Sequence, residues 1–455
     1  MKKLIALVCF VSSFVGIAAS FPSRAALAAP TRPNIVIIMS DDQRWDTVTP
    51  QFMPNLTNKL IPGVNAVYFN NAFVPNALCC PSRVTTLTGE YSHTTGVYMN
   101  HGDFGGFQAF TGDRDTIATT LHATGYRTGL IGKYLNGYEP KTDWRYIPPG
   151  WDRWNATRTG AYYSYWMTKG LSAPTHYLDA PADYSGRVMD ERAVSFINGG
   201  AKSKPFFLYL APSSPHRPVI ADPMDVGRFS ALTPDLPPSI GEPDVRDKPA
   251  HIRKRDWNDT IAENDAKWRL AQFDTIYSLD RIIGDVWDAS PDGTVFLFMS
   301  DNGFLLGEHR WFGKGVPYNE SIRVPMVLGI KGGPAPTLDA DRLVANVDVR
   351  ETLEGYAGVT DDTSGQNWNV DPPRTRLVLE HLGPGASLPT YCGVRFVDWM
   401  YARYRTGEEE LYDETNDPYE LVNVADTDPT QLQFMRKRAA SLCTGGTIYP
   451  PDWPY

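Results

Sequence analysis

The chain has 455 residues, 42% of them hydrophobic, and a formal net charge of −9. That length exceeds what one ordinary core supports, so one large domain with a smaller companion is expected, with enough apolar residues to bury a sizeable interior. The acidic balance argues against nucleic acid as a partner and offers no broad attraction to a polyanion, so any anion has to be recognised by local groups.

Lys2 and Lys3 precede an apolar run from Leu4 to Ala19, and Ala26-Leu27-Ala28 supplies the small residues of a cleavage site. This pattern predicts a signal peptide over residues 1–28 and an exported mature protein, periplasmic or secreted. No later stretch is continuously apolar at spanning length, so no membrane span is expected.

After residue 32 the sequence repeats one grammar four times. Ile35-Val36-Ile37-Ile38-Met39 is a continuous apolar run that ends in Ser40-Asp41-Asp42. Thr294 to Met299 ends in Ser300-Asp301-Asn302, Phe206 to Ala211 runs into Pro215-His216-Arg217, and Thr128 to Ile131 ends in Gly132-Lys133. Runs of this kind predict strands buried on both faces, as in a parallel sheet covered by helices. The functional crevice of such a sheet lies outside the carboxyl ends of its strands, so the four polar endings can converge.

Asp41, Asp42, Asp301 and Asn302 brought together would repel one another without a cation between them. An all-oxygen set suits a hard divalent ion, and calcium suits it better than magnesium, which keeps its waters, or zinc, which recruits histidine or thiolate. Taken singly, an Asp-Asp or Asp-Asn after a strand is more often a turn or a helix cap.

The stretch Leu78 to Gly89, Leu-Cys-Cys-Pro-Ser-Arg-Val-Thr-Thr-Leu-Thr-Gly, reads as a seat for a nucleophile. Pro81 suits a first helical position and Val84 and Leu87 recur at helical spacing, so a helix is expected to start just after the cysteine pair. Its free N–H groups and dipole, with Arg83 one step inside, would face an anionic group held at Cys79. The competing reading is that a cysteine is a buried packing residue.

Cys79-Cys80-Pro81-Ser82-Arg83 followed by Leu87-Thr88-Gly89 resembles the Cys-x-Pro-Ser-Arg-x-x-x-Leu-Thr-Gly signature of the type I sulfatases, formylglycine-dependent members of the alkaline-phosphatase-like superfamily. A second signature of that family is matched by Gly125-Tyr126-Arg127-Thr128-Gly129-Leu130-Ile131-Gly132-Lys133. The resemblance implies an α/β fold: a large mixed, mostly parallel sheet sandwiched by helices, with a smaller C-terminal antiparallel sheet. It implies a catalytic domain over residues 29–345 and a C-terminal subdomain over 346–455.

It also implies a site. Cys79 is converted to formylglycine by a maturation enzyme, and Asp41, Asp42, Asp301 and Asn302 bind calcium with an oxygen of the modified residue. Lys133 contacts the nucleophile and the sulfate, while His216, and Lys314 in Trp311-Phe312-Gly313-Lys314-Gly315, grip the sulfate or serve the leaving oxygen. Arg83 joins these cations around the transferred group. One hydroxyl of the aldehyde hydrate attacks sulfur, and the second lets the adduct collapse and eject sulfate. Many members carry a histidine two residues after the lysine, where this chain has Leu135 and then Asn136. Its Gly-Lys-Tyr-Leu-Asn wording resembles glucosamine-6-sulfatase-like members, and a sulfated glycan or sulfated small molecule is the expected substrate. With Cys79 modified, Cys80, Cys392 and Cys443 remain after export, and a Cys392–Cys443 bond is expected. His309, in Gly307-Glu308-His309, is either a site residue or a structural loop residue.

Between Pro212 and Ala262 the many prolines predict a long surface excursion, either a wall of the pocket or a structural wrap. A helix is expected over Asn264 to Ala289, with Leu270, Phe273, Ile276, Tyr277, Ile283 and Val286 facing the core. Trp144, Tyr146, Trp151, Trp154, Tyr162, Tyr163, Tyr165 and Trp166 crowd one segment, for packing or for contact with a sugar ring. Past Ala345, short alternating runs predict an antiparallel sheet, with a final helix near Thr430 to Leu442. The alternatives to a sulfatase are a phosphomonoester or phosphonate hydrolase of the same superfamily and a noncatalytic glycan-binding relative.

Overall fold

The structure is a computed structural model that describes residues 32–200, 204–385 and 387–443. The signal-peptide reading of residues 1–28 lies outside the described residues. All four apolar runs form strands of one seven-stranded sheet: β1 (Ile35–Ser40), β2 (Ala66–Tyr68), β3 (Arg127–Lys133), β4 (Arg153–Thr157), β5 (Phe206–Ala211), β6 (Val295–Ser300) and β7 (Met326–Ile330). Their spatial order is β2-β7-β6-β1-β5-β3-β4. β1 pairs in parallel with β5 and β6, and β3 in parallel with β5 and β4. Only β7 runs against its neighbours, β6 and β2.

The continuous hydrophobicity of β1 follows from its position. Ile35, Ile37 and Met39 pack into one core with Val84 and Leu87 of helix α1 (Cys79–Thr88). Val36 and Ile38 pack on the opposite face with Val188 and Met189 of helix α2 (Ser185–Asn198) and Ile276, Leu279 and Ile283 of helix α3 (Asp259–Ala289). Burying an aliphatic side chain of this size contributes about 1.5–3 kcal/mol. The two faces make register matter, since a slip of one residue sends every side chain into the wrong core.

Helix α3 starts five residues before the expected Asn264, because the Asn258 side chain accepts from the Ile261 N–H at 3.1 Å and caps it there. The excursion after Pro212 is irregular and is tied back to the body through a bridge between Ile240 and Glu308. Within the aromatic segment Trp154, Tyr162 and Tyr165 are buried packing residues while Tyr146 is 45% exposed, and the Trp154 indole donates to the Tyr138 hydroxyl at 2.9 Å.

The second sheet is antiparallel and runs in chain order: β8 (Leu377–Gly385), β9 (Leu388–Arg395), β10 (Trp399–Tyr404) and β11 (Glu409–Asp413). Helix α4 (Pro429–Ala440), capped by Asp428, packs on β9 and β10. A disulfide joins Cys392 of β9 to Cys443 just past that helix, as expected. No helix among the described residues is long and apolar enough to cross a membrane.

Candidate active site

β6, β1, β5 and β3 are adjacent and parallel, so their carboxyl ends open on one edge of the sheet. Asp41 and Asp42 leave β1, Asp301 and Asn302 leave β6, the segment to His216 leaves β5, and Lys133 ends β3. The backbone continues the pairing past the strands. The Asp41 N–H donates to the Ser214 carbonyl at 2.9 Å, and the Asp301 N–H to the Ser40 carbonyl at 3.1 Å. Asp42 turns in the left-handed region at φ +66°, which aspartate tolerates better than most residues, and its N–H donates to Asp301 Oδ1 at 3.1 Å.

Asp41, Asp42, Cys79 and Asp301 each present a ligand-capable atom within 4.8 Å of the others, and all four are buried. Asn302 joins them through Nδ2, which donates to Asp42 Oδ1 at 2.7 Å. Three cations surround the group. Lys133 Nζ donates to Asp41 Oδ2 at 2.7 Å and lies 3.8 Å from Asp301 Oδ2. Lys314 Nζ is 2.7 Å from Cys79 Sγ and 3.2 Å from Asn302 Oδ1, and it also contacts Asp42. Arg83 lies beneath, its Nε donating to Asp301 Oδ2 at 2.8 Å and its Nη1 to the Lys133 carbonyl at 3.1 Å. His216 is the outermost member, with a side chain 22% exposed and Nε2 3.7 Å from Asp42 Oδ2.

These contacts set the charge states. Burial alone would raise the Asp41 and Asp42 carboxyls, but Lys133, His216 and Arg83 hold Asp41 below the usual range, and Lys314 and His216 do the same for Asp42. Burial works to deprotonate Lys133 and Lys314, and the facing Asp41 and Asp42 overcome it, keeping both protonated. Burial and then Asp41 push the Cys79 thiol up to about 12. At neutral pH the thiol is therefore uncharged, which makes it a poor nucleophile. Three carboxylates and an amide oxygen fit a hard divalent cation, and the Cys79 sulfur is the one soft donor among them.

The helix after the cysteine pair differs from expectation. α1 begins at Cys79 itself, so Pro81 is its third residue. Proline costs nothing there because the first four N–H groups of a helix have no partner within it. Asn100 Oδ1 takes the Cys80 N–H at 2.8 Å and Pro81 has none, so the helix start offers an anion fewer amides than its position promises. The positive charge at the site comes instead from the side chains of Lys133, Lys314 and Arg83.

Three residues that sequence reasoning did not single out for the site support it. The Tyr162 hydroxyl lies 3.0 Å from the Ser213 carbonyl and 2.7 Å from that of His216, and donating to either holds the loop after β5. Asn346 Nδ2 donates to the Ser82 carbonyl at 2.9 Å and steadies α1, and Asn100 steadies its first turn. Only the aromatic crowding pointed to Tyr162. His309 does not join the Cys79 group: its Nδ1 is 2.7 Å from Glu242 Oε2 and its ring stacks on Tyr318. Asn136 is buried, and its carbonyl accepts from the Phe107 N–H at 2.6 Å.

Comparison with known proteins places the chain in a family. The family model described as Sulfatase matches residues 33–359. The arylsulfatase of Volvox carteri is 26% identical over 93% of this chain and 75% of its own length. The N-acetylglucosamine-6-sulfatase of Homo sapiens is 27% identical over 93% of this chain and 87% of its own. A solved structure of a protein in complex with its substrate, D-glucosamine-2-N,6-O-disulfate, superposes with a TM-score of 0.72 at 22% identity, covering 90% of this chain and 96% of that one.

Proposed function

The chain belongs to the sulfatase family and is a sulfatase, and from that premise we propose that it hydrolyses sulfate monoesters of a carbohydrate through formylglycine formed from Cys79, with calcium at Asp41, Asp42, Asp301 and Asn302. The observation that carries this reading is the gathering of three buried carboxylates at Cys79, with the Lys133 and Lys314 ammonium groups turned inward upon them.

Formylglycine, as its hydrate, supplies an oxygen nucleophile where the gene encodes a thiol, and calcium supplies positive charge against the ester oxygens. The chain's own groups do the rest. Lys314, in contact with side chain 79, orients it and adds positive charge against a sulfate oxygen. Lys133 holds Asp41 and adds charge from the other side. Arg83 binds Asp301 from below and acts as a positioning residue. His216 Nδ1 lies 2.6 Å from the Arg217 carbonyl, which assigns the proton of the neutral ring to Nδ1. Nε2 then faces the site, and once protonated it donates to the departing alcohol oxygen.

The glycan reading is supported by the Gly132-Lys133-Tyr134-Leu135-Asn136 wording and by relatives named for an acetylglucosamine sulfate. Export is supported by the N-terminal pattern and by a disulfide of the kind that persists in oxidising compartments. The division into a catalytic region over 29–345 and a C-terminal one over 346–455 belongs to the same proposal, as does the maturation enzyme that converts Cys79.

Mass spectrometry of the peptide containing Cys79, paired with steady-state rates on matched sulfate and phosphate esters, tests it. An aldehyde or its hydrate at position 79 and a preference for sulfate are expected. Full turnover by a preparation in which position 79 is entirely thiol would overturn the formylglycine reading, and a preference for phosphate by orders of magnitude would overturn the substrate class.

A further inference from the structure

The loop that brings Lys314 into the site has a second buried cluster behind it. His309, Glu320 and Glu420 are 0%, 7% and 0% exposed, and one ligand-capable atom of each lies within 4.8 Å of the others. Glu320 sits on the short helix Asn319–Ile322 and Glu420 on the segment between β11 and α4, so the cluster joins two distant parts of the chain.

Its hydrogen bonds do not close. His309 Nδ1 is 2.7 Å from Glu242 Oε2, and a carboxylate accepts, so Nδ1 carries the ring proton and Nε2 is left with a bare lone pair. Nε2 of His309, Oε2 of Glu320 and Oε1 of Glu420 find no hydrogen-bond partner among the described residues. Apart from a carboxyl–carboxyl contact between Glu420 and Glu414, no donor lies between these three acceptors, an arrangement that costs free energy when buried.

The charges do not close either. Glu308 is paired with Arg44 at 2.7 Å and Arg269 at 3.0 Å, Glu242 with Lys248 at 3.3 Å, and Glu414 with Arg395 at 3.2 Å. Glu320 and Glu420 have no ion-pair partner among the described residues. Two buried carboxyl groups and an imidazole lone pair match the donor preference of a zinc-class divalent ion. The Glu242–His309 contact is the carboxylate–histidine pairing that orients a metal-binding imidazole.

We propose that His309, Glu320 and Glu420 form a second cation site, for a zinc-class divalent ion, that clasps the C-terminal segment to the loop carrying Lys314. The connections to the catalytic edge are short. Ser321, next to Glu320, accepts the Gly315 N–H on its Oγ at 2.9 Å and the Gly303 N–H on its carbonyl at 2.9 Å. Gly315 adjoins Lys314 and Gly303 adjoins Asn302. Glu420 Oε2 accepts the Asn319 N–H at 2.9 Å. An ion here fixes both loops without touching substrate.

The test is metal content. The full chain is stripped with a chelator, saturated with calcium to occupy the Asp41 group, exposed to zinc, desalted and analysed by elemental mass spectrometry. One equivalent of zinc is expected in the wild type and in Asp42→Asn, with loss of that equivalent in His309→Gln and in Glu420→Gln. Zinc is also expected to raise the melting temperature of the wild type and not that of Glu420→Gln. A wild-type protein that takes up no zinc under calcium overturns the proposal, as does zinc uptake unchanged in both cluster variants. If one variant fails to fold, the other and the wild-type stoichiometry decide. The readout is independent of position 79 and of turnover, so it stands or falls separately from the proposed chemistry.

Discussion

Arg83 Nε donates to Asp301 Oδ2 at 2.8 Å with both side chains fully buried. The same guanidinium lies 3.8 Å from Asp41 Oδ2, so one cation underlies two of the carboxylates gathered at Cys79. A carboxylate cluster at a sheet edge is electrostatically expensive, and this fully buried arginine offsets part of the repulsion.

Removing Arg83 should therefore act on folding as well as on rate. Arg83→Ala leaves a buried carboxylate without its partner and is expected to cost about 3–5 kcal/mol, read by urea denaturation. Arg83→Lys restores charge without the planar fork and should recover only part of the loss. A change within about 0.5 kcal/mol for Arg83→Ala, the range of an ordinary surface substitution, would remove the arginine from this role.

Calcium should stabilise the fold and be needed for turnover. At a calcium concentration a hundredfold above its dissociation constant the gain is about 2.7 kcal/mol, seen as a higher melting temperature than in EDTA. Asp301→Asn should abolish that calcium response. Equal melting temperatures with and without calcium, together with full activity in EDTA, would discard calcium from the site.

Tyr162 and His216 should show their roles through the leaving group. His216→Ala is expected to slow an alkyl or carbohydrate sulfate by about 10²–10⁴-fold, the usual yield of a positioned proton donor, and to slow a good-leaving-group aryl sulfate much less. Tyr162→Phe removes one hydrogen bond, about 1 kcal/mol, and should show the same dependence on leaving group in weaker form. Equal losses on both ester types would make the histidine a packing residue.

His251 provides a pH test remote from the chemistry. It is 6% exposed, neither ring nitrogen has a hydrogen-bond partner among the described residues, and burial lowers its imidazole to about 4. An unfolded histidine takes up its proton near pH 6.5, so between 6.5 and 4 the unfolded chain binds more protons and stability falls with pH. The contribution is fully present above pH 6.5 and amounts to about 3 kcal/mol across that window. His251→Phe should match the wild type at pH 7.5 and lose less stability at pH 4.5. An unchanged slope in denaturation measurements over that range would contradict the assignment.

Much of the architecture is legible without coordinates because its determinants are local. A strand buried on both faces has to be apolar along its length, so Ile35–Met39 and Val295–Met299 announce themselves, and the polar residues that end such strands mark the edge where the candidate site gathers. The run around Cys79 is equally readable, because its Pro-Ser-Arg spacing lies within a single helix. Helix boundaries are less so: Asn258 and Cys79 begin their helices earlier than the apolar pattern indicates, since capping and proline tolerance act at the ends, where periodicity has nothing to report.

What the amino-acid order by itself determined is which segments become strands and helices and which side chains end them. Only the tertiary structure decided which atoms meet. The pairing of Ser40 with Ser300 across β1 and β6 sets Asp41 and Asp42 beside Asp301 and Asn302, and no window of sequence contains that register. Arg83 beneath the carboxylates, Tyr162 behind His216, and the meeting of His309 with Glu320 and Glu420 likewise come from chain segments far apart. Propensity and burial act residue by residue along the chain, whereas hydrogen-bond and charge complementarity act between surfaces that exist only once the sheet has formed.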